Sequence, residues 1–400
     1  MFVLEPTESQ ARLLEKVRVW FNNWENGFRI GPHPQWFSYS GAAGVGKGAA
    51  ARMIVDMLGL DSHSYISCAY VGKAVLQLSK NGMNAKTIHS LIYDARPVYD
   101  KNSIDGKVIL RYQFFLKEKL DEDYRLIFVD EAAMVNDKMR DELLSFKIPI
   151  IFIGDMNQLP PVFGSSTVLA NPDHILTQIM RQKENDPIVQ LSQMVLKGIP
   201  IMEGKYGKSQ VVRDFILDHR LVKDYDQILC NTNAYRVSIN NYIRKVIKKY
   251  PENRPVIGDK IVCCQNNWNE LVDGYPLTNG MIGYIADMNR QYVHKGYYLV
   301  NFEPDFLDSH RQFIGLKMDA RYINSSYEEQ KNSGRIMNEK FEYGYAITVY
   351  KSQGSEFDRV LYFDSKFRTP ELTKRSRYTA ITRAKEALTI VLNRESSHAY

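Results

Sequence analysis

Residues Gly41-Ala42-Ala43-Gly44-Val45-Gly46-Lys47-Gly48 are the stretch that decides the fold. Glycines in such a stretch let consecutive backbone N–H groups converge on phosphate oxygens, and the lysine reaches the terminal phosphates. An aromatic, strand-like segment precedes it at Trp36-Phe37-Ser38-Tyr39, and a helix-like segment follows from Ala49 to Leu58. The helix N-terminus would therefore also point at a bound anion. The pattern predicts a nucleotide phosphate-binding loop, and the alternative is a plain glycine turn between a strand and a helix.

The last position of this stretch departs from the pattern, because phosphate-binding loops have serine or threonine after the lysine. That hydroxyl ligates Mg²⁺, and Gly48 has no side chain to offer. Three explanations stay open: the metal is held by other groups, hydrolysis is impaired, or glycine replaces an original hydroxyl residue. Glycine also weakens a first helical turn by up to ~1 kcal/mol relative to alanine.

The composition is that of a globular chain, with 400 residues of which 44% are hydrophobic. That length favours roughly two to four domains. No apolar stretch approaches the ~20 residues of a membrane span, and the N-terminus has no secretory pattern, so a soluble protein without a signal peptide is expected. The four cysteines lack C-x-x-C spacing, which argues against a zinc site. The net charge of +6 is mild but compatible with a locally basic groove.

Short apolar strands alternate with helical segments through roughly the first 190 residues, a pattern typical of a parallel α/β sheet. The strands are predicted at 36–39, 65–68, 126–129 and 149–153, after a helix that starts near Thr7. A second alternating unit begins near Gln227 and resumes at Arg359. Two α/β lobes are therefore predicted.

Two β-rich insertions are predicted within these lobes. Pro97-Val98-Tyr99 and Val108-Ile109-Leu110 flank a polar turn, which indicates a β-hairpin. Residues 258–340 contain short β segments separated by turns such as Asn279-Gly280, which indicates a small β-barrel-like domain.

Two strands of the first lobe end in polar side chains. The strand at 126–129 is followed by Asp130 and Glu131, and the strand at 149–153 leads to Gln158. Parallel strands place ligands at their C-terminal edge, so Asp130 is expected to hold Mg²⁺ and Glu131 to polarise a water molecule. Gln158 can hydrogen-bond a γ-phosphate without adding charge, and Pro160 stiffens the segment beyond it. An ordinary solvated strand exit and an ordinary turn are the alternatives.

Five segments, taken in order, resemble the successive motifs of superfamily 1 DNA helicases. They are Asp130-Glu131-Ala132-Ala133-Met134, Gly154-Asp155-Met156-Asn157-Gln158-Leu159-Pro160-Pro161-Val162, Leu176-Thr177-Gln178-Ile179-Met180-Arg181-Gln182, Tyr345-Ala346-Ile347-Thr348-Val349-Tyr350-Lys351-Ser352-Gln353-Gly354-Ser355-Glu356-Phe357 and Tyr378-Thr379-Ala380-Ile381-Thr382-Arg383-Ala384-Lys385. The two inserts and the compact length resemble the RecD/Dda branch, whose members move 5′ to 3′ on single-stranded DNA.

The resemblance implies an α/β fold of two RecA-like P-loop lobes, with a β-hairpin insert in the first and an SH3-like β-barrel insert in the second. The implied segments are 1–90 and 121–183 for the first lobe, 91–120 for the hairpin, 184–257 and 341–400 for the second lobe, and 258–340 for the barrel.

The resemblance also assigns roles to particular residues. The catalytic set is Lys47, Asp130, Glu131, Gln158, Arg181 and Arg383, with Asp130 on the metal and the two arginines contributed across a cleft. The nucleotide set is Gln10 at the adenine, Gly41, Ala43, Gly44, Val45, Gly46, Lys47 and Gly48 at the phosphates, and Gly354 and Glu356. The DNA-facing set is Thr87, His89, Pro160, Thr348, Tyr350 and Lys351, with tyrosine where the family usually has histidine.

The implied function is an ATP- and Mg²⁺-dependent DNA helicase that acts on single-stranded DNA and duplex forks. A monomer in the cytoplasm of a bacterial or phage-infected cell is expected, with replication or recombination proteins as further partners and no membrane association. Two rival functions stay open: a hydrolysis-impaired single-stranded-DNA-binding protein of the same fold, disabled at Gly48, and a P-loop ATPase that acts on protein or RNA.

Overall fold

A computed structural model of the chain describes residues 5–101, 108–178, 186–250, 254–272, 275–305, 311–332 and 338–392. The chain divides into two compact units. The first unit consists of Met1–Tyr70, Ala74–Met156 and Pro160–Arg181, and the second of Val71–Lys73, Asn157–Leu159 and Gln182–Tyr400. Among the described helices, none combines the length and apolar character needed to cross a bilayer.

The N-terminal elements alternate between helix and strand as predicted. They are α1 (Glu8–Glu25), β1 (Trp36–Gly41), α2 (Lys47–Met57), β2 (Tyr65–Ala69), α3 (Gly72–Lys80), β3 (Ala85–Thr87), α4 (Ile88–Ile92), β4 (Tyr93–Lys101), β5 (Val108–Leu116), β6 (Leu126–Asp130), α5 (Asp137–Leu144), β7 (Ile150–Gly154) and β8 (His174–Leu176). Thr7 caps α1 through a capping box with Gln10, which confirms the helix start expected there.

The main sheet of the first unit has the strand order β3-β2-β6-β7-β1-β8, and its pairs are parallel. Strands β1, β2 and β7 are buried along their whole length, as is typical of a parallel sheet covered on both faces. In a parallel sheet all C-terminal ends lie at one edge. The exits of β1, β6 and β7 therefore meet at the same edge, with β7 between the other two.

The predicted hairpin is present as β4 and β5, which pair antiparallel from Tyr93↔Leu116 to Lys101↔Val108. Its connecting turn at 102–107 lies outside the described residues. The hairpin strands form a two-stranded sheet of their own.

The second unit contains the remaining elements. They are α6 (Pro187–Leu196), β9 (Gly204–Tyr206), β10 (Ser209–Val212), α7 (His219–Asp224), β11 (Gln227–Cys230), α8 (Asn233–Tyr242), β12 (Lys260–Cys263), β13 (Asn267–Val272), β14 (Tyr275–Leu277), β15 (Ile282–Asn289), β16 (Tyr297–Pro304), β17 (Phe313–Asp319), α9 (Ala320–Asn324), α10 (Tyr327–Asn332), β18 (Phe341–Tyr343), β19 (Ala346–Thr348), β20 (Phe357–Asp364), α11 (Pro370–Ile381) and β21 (Ala384–Leu392).

The large sheet of the second unit has the order β19-β11-β20-β21-β10-β9, and every pair except β9 with β10 is parallel. Strand β11 pairs with β20 across more than a hundred residues of sequence, in the register Ile228↔Leu361. This pairing confirms that the second α/β pattern begins near Gln227 and resumes near Arg359.

The insert between these two parts is a five-stranded antiparallel sheet in the order β17-β16-β15-β12-β18. The expected end of the insert at residue 340 stays a prediction. Strand β18 lies beyond it and completes the insert sheet by pairing with β12, in the register Ile261↔Tyr343. Its three buried residues read equally well as a strand of the lobe, so local sequence could not assign it. The SH3-like description of the insert stays a prediction.

Buried carboxylates of the second unit are paired with cationic side chains. The carboxylate of Asp259 accepts two hydrogen bonds of 3.0 Å from the guanidinium of Arg244 and one of 2.9 Å from the hydroxyl of Tyr345. The carboxylate of Glu342 lies 2.6 Å from the ammonium of Lys351 and 3.1 Å from the guanidinium of Arg236. Removing one member of such a pair leaves a buried charge without its partner, which is strongly destabilising.

Candidate nucleotide-binding and nucleic-acid-binding sites

The glycine-rich stretch forms a loop between β1 and α2, at the edge where the parallel strands end. Gly44 and Gly46 have φ angles of 81° and 79°, a left-handed conformation that favours glycine. Gly46 is the N-cap of α2 and leaves the N-terminal amides of the helix without a side-chain cap. These amides can donate to an anion, and the helix dipole favours negative charge at this end. The loop is therefore built as a phosphate-binding site.

Lys47 is the first residue of α2, and its ammonium group folds over the loop. Its Nζ donates to the backbone oxygens of Gly41 at 2.8 Å and Ala42 at 3.1 Å. A side chain on Gly41 would place its Cβ 2.6 Å from Val45, so the close turn requires glycine there. Lys47 thus both closes the loop and brings a positive charge to it.

Gly48 lies in the first turn of α2 and is exposed. Its φ angle is outside the left-handed region, and a Cβ placed on it would meet only the side-chain amide of Asn81, at 3.9 Å. Neither the backbone conformation nor the available space therefore requires glycine at this position.

Asp130 and Glu131 follow β6 at the same sheet edge. Burial and the adjacent charge of Glu131 raise the pKa of Asp130 to about 6, while the ammonium of Lys47 opposes this shift. The Asp130 carboxylate accepts a hydrogen bond of 2.9 Å from the backbone N–H of Glu131. Glu131 itself has φ 51° and ψ 40°, a strained conformation for a residue with a side chain. Backbone strain of this kind persists only where the surrounding structure imposes it, and it is frequent at functional sites.

Two residues of β1 were missed by sequence reasoning. The fully buried Tyr39 donates a hydrogen bond of 3.0 Å from its hydroxyl to the backbone oxygen of Lys47, and burial followed by the charge of Asp130 raises the pKa of this tyrosine. Ser40 accepts a hydrogen bond of 3.0 Å from the backbone N–H of Met156. These bonds fix the helix start and the exit of β7. Their only sequence signal is a polar group in an otherwise apolar strand before the loop.

Gln10 is fully buried at the start of α1. Its side-chain oxygen accepts a hydrogen bond of 2.9 Å from the backbone N–H of Thr7, which is half of the capping box. The role of Gln10 in recognising adenine stays a prediction.

Gln158 and its neighbours belong to the second unit. The backbone oxygen of Gln158 accepts a hydrogen bond of 3.2 Å from Arg375, and Leu159 is held by Thr379 and by Gln353 at 3.0 and 2.9 Å. The buried Oε1 atom of Gln158 has no hydrogen-bond partner within the described part of the chain. A buried acceptor of this kind costs stability until a donor arrives, which suits a residue that senses a ligand.

Arg383 is almost completely buried in the second unit, with 3% of its surface exposed. Its guanidinium donates to the backbone oxygens of Thr379 at 3.2 Å and Ser355 at 3.0 Å. These bonds fix the loop that contains Gly354, which has a left-handed φ of 71°, and Glu356. Arg181 lies outside the described residues, so the proposed pair of arginines stays a prediction.

Among the DNA-facing candidates, the threonine hydroxyls perform local structural tasks. Thr87 accepts a hydrogen bond of 3.2 Å from the backbone N–H of Ser90 at the start of α4, and Thr348 accepts one of 3.3 Å from that of Lys351. The ammonium of Lys351 contacts both Glu342 and the sulfur of Cys264, at 2.6 and 3.2 Å. The charge of Lys351 is therefore already paired within the second unit.

The three remaining candidates are partly exposed. His89 lies in a group of aromatic rings, 5.6 Å from Tyr70 by ring centroids, and burial lowers its pKa. The Tyr350 ring lies 6.0 Å from that of Phe367. Pro160 is half-buried at the start of a loop. Whether these residues contact DNA stays a prediction.

Comparison with known proteins agrees with this geometry. The AAA domain family matches residues 33–213, and the UvrD-like helicase C-terminal domain family matches residues 343–391. The ATP-dependent RecD2 DNA helicase of Deinococcus radiodurans is 24% identical over 389 residues, which cover 87% of this chain and 45% of the relative. A RecD subunit of the RecBCD enzyme from Buchnera aphidicola is 24% identical over 329 residues, or 68% of this chain and 54% of the relative. The chain thus spans about half the length of these relatives.

Solved structures show the same architecture. A Pif1 helicase from Bacteroides in complex with ADP-AlF3 and single-stranded DNA matches with a TM-score of 0.55 and 16% identity, covering 96% of this chain and 92% of that one. The Pif1 helicase from Candida albicans matches with a TM-score of 0.54 and 16% identity, covering 100% and 97% of the two chains.

The fold and the phosphate loop together define a P-loop protein with two RecA-like α/β lobes. Within that class, the two domain matches and the RecD2 relative support the resemblance of the chain to superfamily 1 helicases of the RecD branch. The family resemblance seen in the sequence motifs is therefore confirmed.

Proposed function

We propose that the chain is an ATP-dependent DNA helicase that moves 5′ to 3′ along single-stranded DNA and separates the duplex ahead of it. One observation carries the proposal: the Lys47 loop and the Asp130-Glu131 pair lie at the same edge of the first sheet, separated by one strand. A nucleotide with its phosphates on the loop would therefore present them toward the two carboxylates.

The chemistry of the site suits phosphoryl transfer to water. Lys47 and the amides at the start of α2 would bind the phosphates, and the Glu131 carboxylate would orient and deprotonate the attacking water. Asp130 and Glu131 are neighbouring carboxylates, and burial and the charge of Glu131 raise the pKa of Asp130. A bound cation would offset their repulsion and favour the ionised form of both. These residues fit Mg²⁺, which would be held by Asp130 and would neutralise charge on the phosphate oxygens.

The proposed partners are single-stranded DNA and duplex forks. RecD2 is named as a DNA helicase, and the Pif1 structures include one bound to single-stranded DNA and one that concerns unwinding at forked duplex DNA. The direction of movement, ATP-driven closure of the lobes, a monomeric state, a cytoplasmic location and contacts with replication or recombination proteins are proposed by family analogy.

A second candidate function is a single-stranded-DNA-binding protein that binds nucleotide but hydrolyses it poorly. Gly48 favours it, because the chain lacks the hydroxyl that follows the loop lysine elsewhere. Phosphate release measured with and without single-stranded DNA separates the two candidates, since only the helicase has DNA-stimulated turnover. The same measurement with RNA tests the RNA-directed alternative.

Strand displacement on forked DNA tests the proposal directly. Duplexes with one 5′ tail or one 3′ tail are incubated with ATP and Mg²⁺, and Lys47→Ala is the matched inactive control. We expect separation of the 5′-tailed duplex alone, and none with the Lys47 variant. Separation of only the 3′-tailed duplex would refute the direction, and the absence of both separation and ATPase activity would favour the binding-protein alternative.

A further inference from the structure

The base of the β4–β5 hairpin is the part that determines how firmly the hairpin is held. Each strand has nine residues, and the two strands pair with each other alone among the described strands. An isolated two-stranded hairpin is at best marginally stable in water. Its position must therefore be set by contacts where β4 leaves α4 and β5 returns.

One hydrogen bond connects this base to a different element of the first unit. Tyr93 is the first residue of β4, and its hydroxyl donates to the Oε2 atom of Glu142 at 2.5 Å. Glu142 lies on α5 and keeps only 19% of its side chain exposed. A hydrogen bond accepted by an ionised carboxylate is among the stronger kinds of hydrogen bond in proteins.

Aromatic rings surround this bond. The Tyr93 ring lies 5.5 Å from His89 and 6.4 Å from Phe114, and His89 lies 6.3 Å from Phe114 by ring centroids. These three residues come from β4, α4 and β5 respectively. Burial, followed by the carboxylate of Glu142, raises the pKa of Tyr93, so its hydroxyl stays protonated and able to donate at neutral pH.

Helix α5 gives this bond its mechanical importance. The chain passes from β6, which ends at Asp130, through a short 3-10 turn at Ala132–Met134 to α5, whose N-cap Asn136 accepts a hydrogen bond from Met139. The element that holds Glu142 is thus the direct continuation of the strand that carries the acidic pair. The hairpin is joined to the sheet covalently at both ends, through α4 before β4 and through residues 117–125 between β5 and β6. The Tyr93–Glu142 bond adds a third connection, through α5.

We infer that Glu142 is a positioning residue for strand separation, because its bond to Tyr93 holds rigid the hairpin that, by family analogy, splits the duplex. The inference rests on the proposed helicase function. A duplex drawn against the hairpin would push on it, and a hairpin free to tilt about its two covalent connections would yield. The anchor therefore affects how much duplex is separated per ATP, while ATP binding and hydrolysis do not depend on it.

The test compares Tyr93→Phe, which removes only the hydroxyl, with Glu142→Ala and Glu142→Gln. Lys138→Ala is the matched control, because Lys138 lies on the same helix with 82% of its side chain exposed and approaches Glu142 at 3.7 Å. The measured quantity is the ratio of 5′-tailed duplex separated to ATP hydrolysed. We expect this ratio to fall about tenfold in Tyr93→Phe and Glu142→Ala, as for a lost hydrogen bond to a charged group.

Several further measurements distinguish a positioning role of Tyr93 and Glu142 from a general structural role. DNA-stimulated ATPase and single-strand affinity should stay within about twofold of the unmodified protein, since no phosphate-loop group is altered. Glu142→Gln keeps an acceptor and should retain most of the ratio, and Lys138→Ala should retain all of it. Hydrogen exchange of the amides at 92–101 should speed up in Tyr93→Phe and Glu142→Ala.

Each outcome decides the inference. An unchanged ratio in Tyr93→Phe and Glu142→Ala, in a protein that separates duplex, would overturn it, as would an equal loss of ATPase activity. If the unmodified protein separates no duplex, the proposed function fails independently. In that case hydrogen exchange alone tests whether the Tyr93–Glu142 bond holds the hairpin. Unchanged exchange at 92–101 in Tyr93→Phe and Glu142→Ala would overturn the inference.

Discussion

A hydroxyl residue at position 48, directly after the loop lysine, should stabilise α2 and should lower the Mg²⁺ concentration that the ATPase activity requires. The variants are Gly48→Thr and Gly48→Ala, of which the second adds a methyl group without the hydroxyl. The site accepts both, because the backbone there is helical and the nearest atom to a new Cβ is 3.9 Å away. Removing glycine from a helix stabilises it by up to about 1 kcal/mol with alanine, and by less with the β-branched threonine.

The two variants separate the helix effect from the metal effect. Urea unfolding should show a higher midpoint for both, with alanine ahead of threonine. The Mg²⁺ concentration for half-maximal DNA-stimulated ATPase should fall about tenfold in Gly48→Thr, the equivalent of about 1.4 kcal/mol for one added ligand. In Gly48→Ala it should stay unchanged, because a methyl group cannot ligate a metal.

Two results would refute this reasoning. A lower unfolding midpoint in both variants would show that the position tolerates no side chain, against the open space found there. An equal change of Mg²⁺ dependence in both variants would show that the effect comes from the helix and not from the hydroxyl.

The remaining predictions concern the second unit. Burial raises the pKa of Glu342, but the charges of Lys351 and Arg236, together with the hydrogen bonds to the carboxylate, lower it to about 2. The carboxylate therefore contributes stability that is present above about pH 4.5 and is lost as the pH falls toward 2. In Glu342→Gln, the loss of unfolding free energy across that pH window should therefore be smaller by about 3 kcal/mol. An unchanged dependence of the unfolding free energy on pH would contradict the pairing. Asp259→Asn should lower the free energy of unfolding by about 3–5 kcal/mol, since Arg244 would lose its buried partner, and urea melts of the two proteins measure it. Arg383→Ala should abolish ATPase activity while single-strand binding persists. Because the buried guanidinium donates two hydrogen bonds, the variant should also lose about 1–3 kcal/mol of unfolding free energy, and thermal melting must accompany the assay. An equal loss of ATPase activity and DNA binding in a folded variant would show that Arg383 is structural.

Local signals in the sequence predicted a large part of the architecture. The phosphate loop, the helix start at Thr7 and the carboxylates after β6 each depend on residues close in sequence. Short-range chemistry determines them, because a left-handed turn needs glycine and an uncapped amide needs an acceptor. The order of the motifs was sufficient to indicate the family.

Other features depend on which side chains and backbone groups the fold brings together, and a local pattern does not specify these contacts. The family resemblance assigned Lys351 to the DNA-facing set, and the fold places its ammonium 2.6 Å from Glu342. The resemblance assigned Arg383 to a nucleotide cleft, and the structure adds that its guanidinium is buried against two backbone oxygens.

The sequence by itself therefore determined that a glycine-rich loop with a lysine follows β1 and that two adjacent carboxylates follow β6. Only the tertiary structure decided that β18 completes the insert sheet, that Asn157–Leu159 belongs to the second unit, and that Tyr93 reaches Glu142. The physical reason is that strand pairing and buried charge pairing are selected by the whole packed chain. Sequences with the same local pattern could form different strand pairs and different buried ion pairs, depending on the rest of the chain.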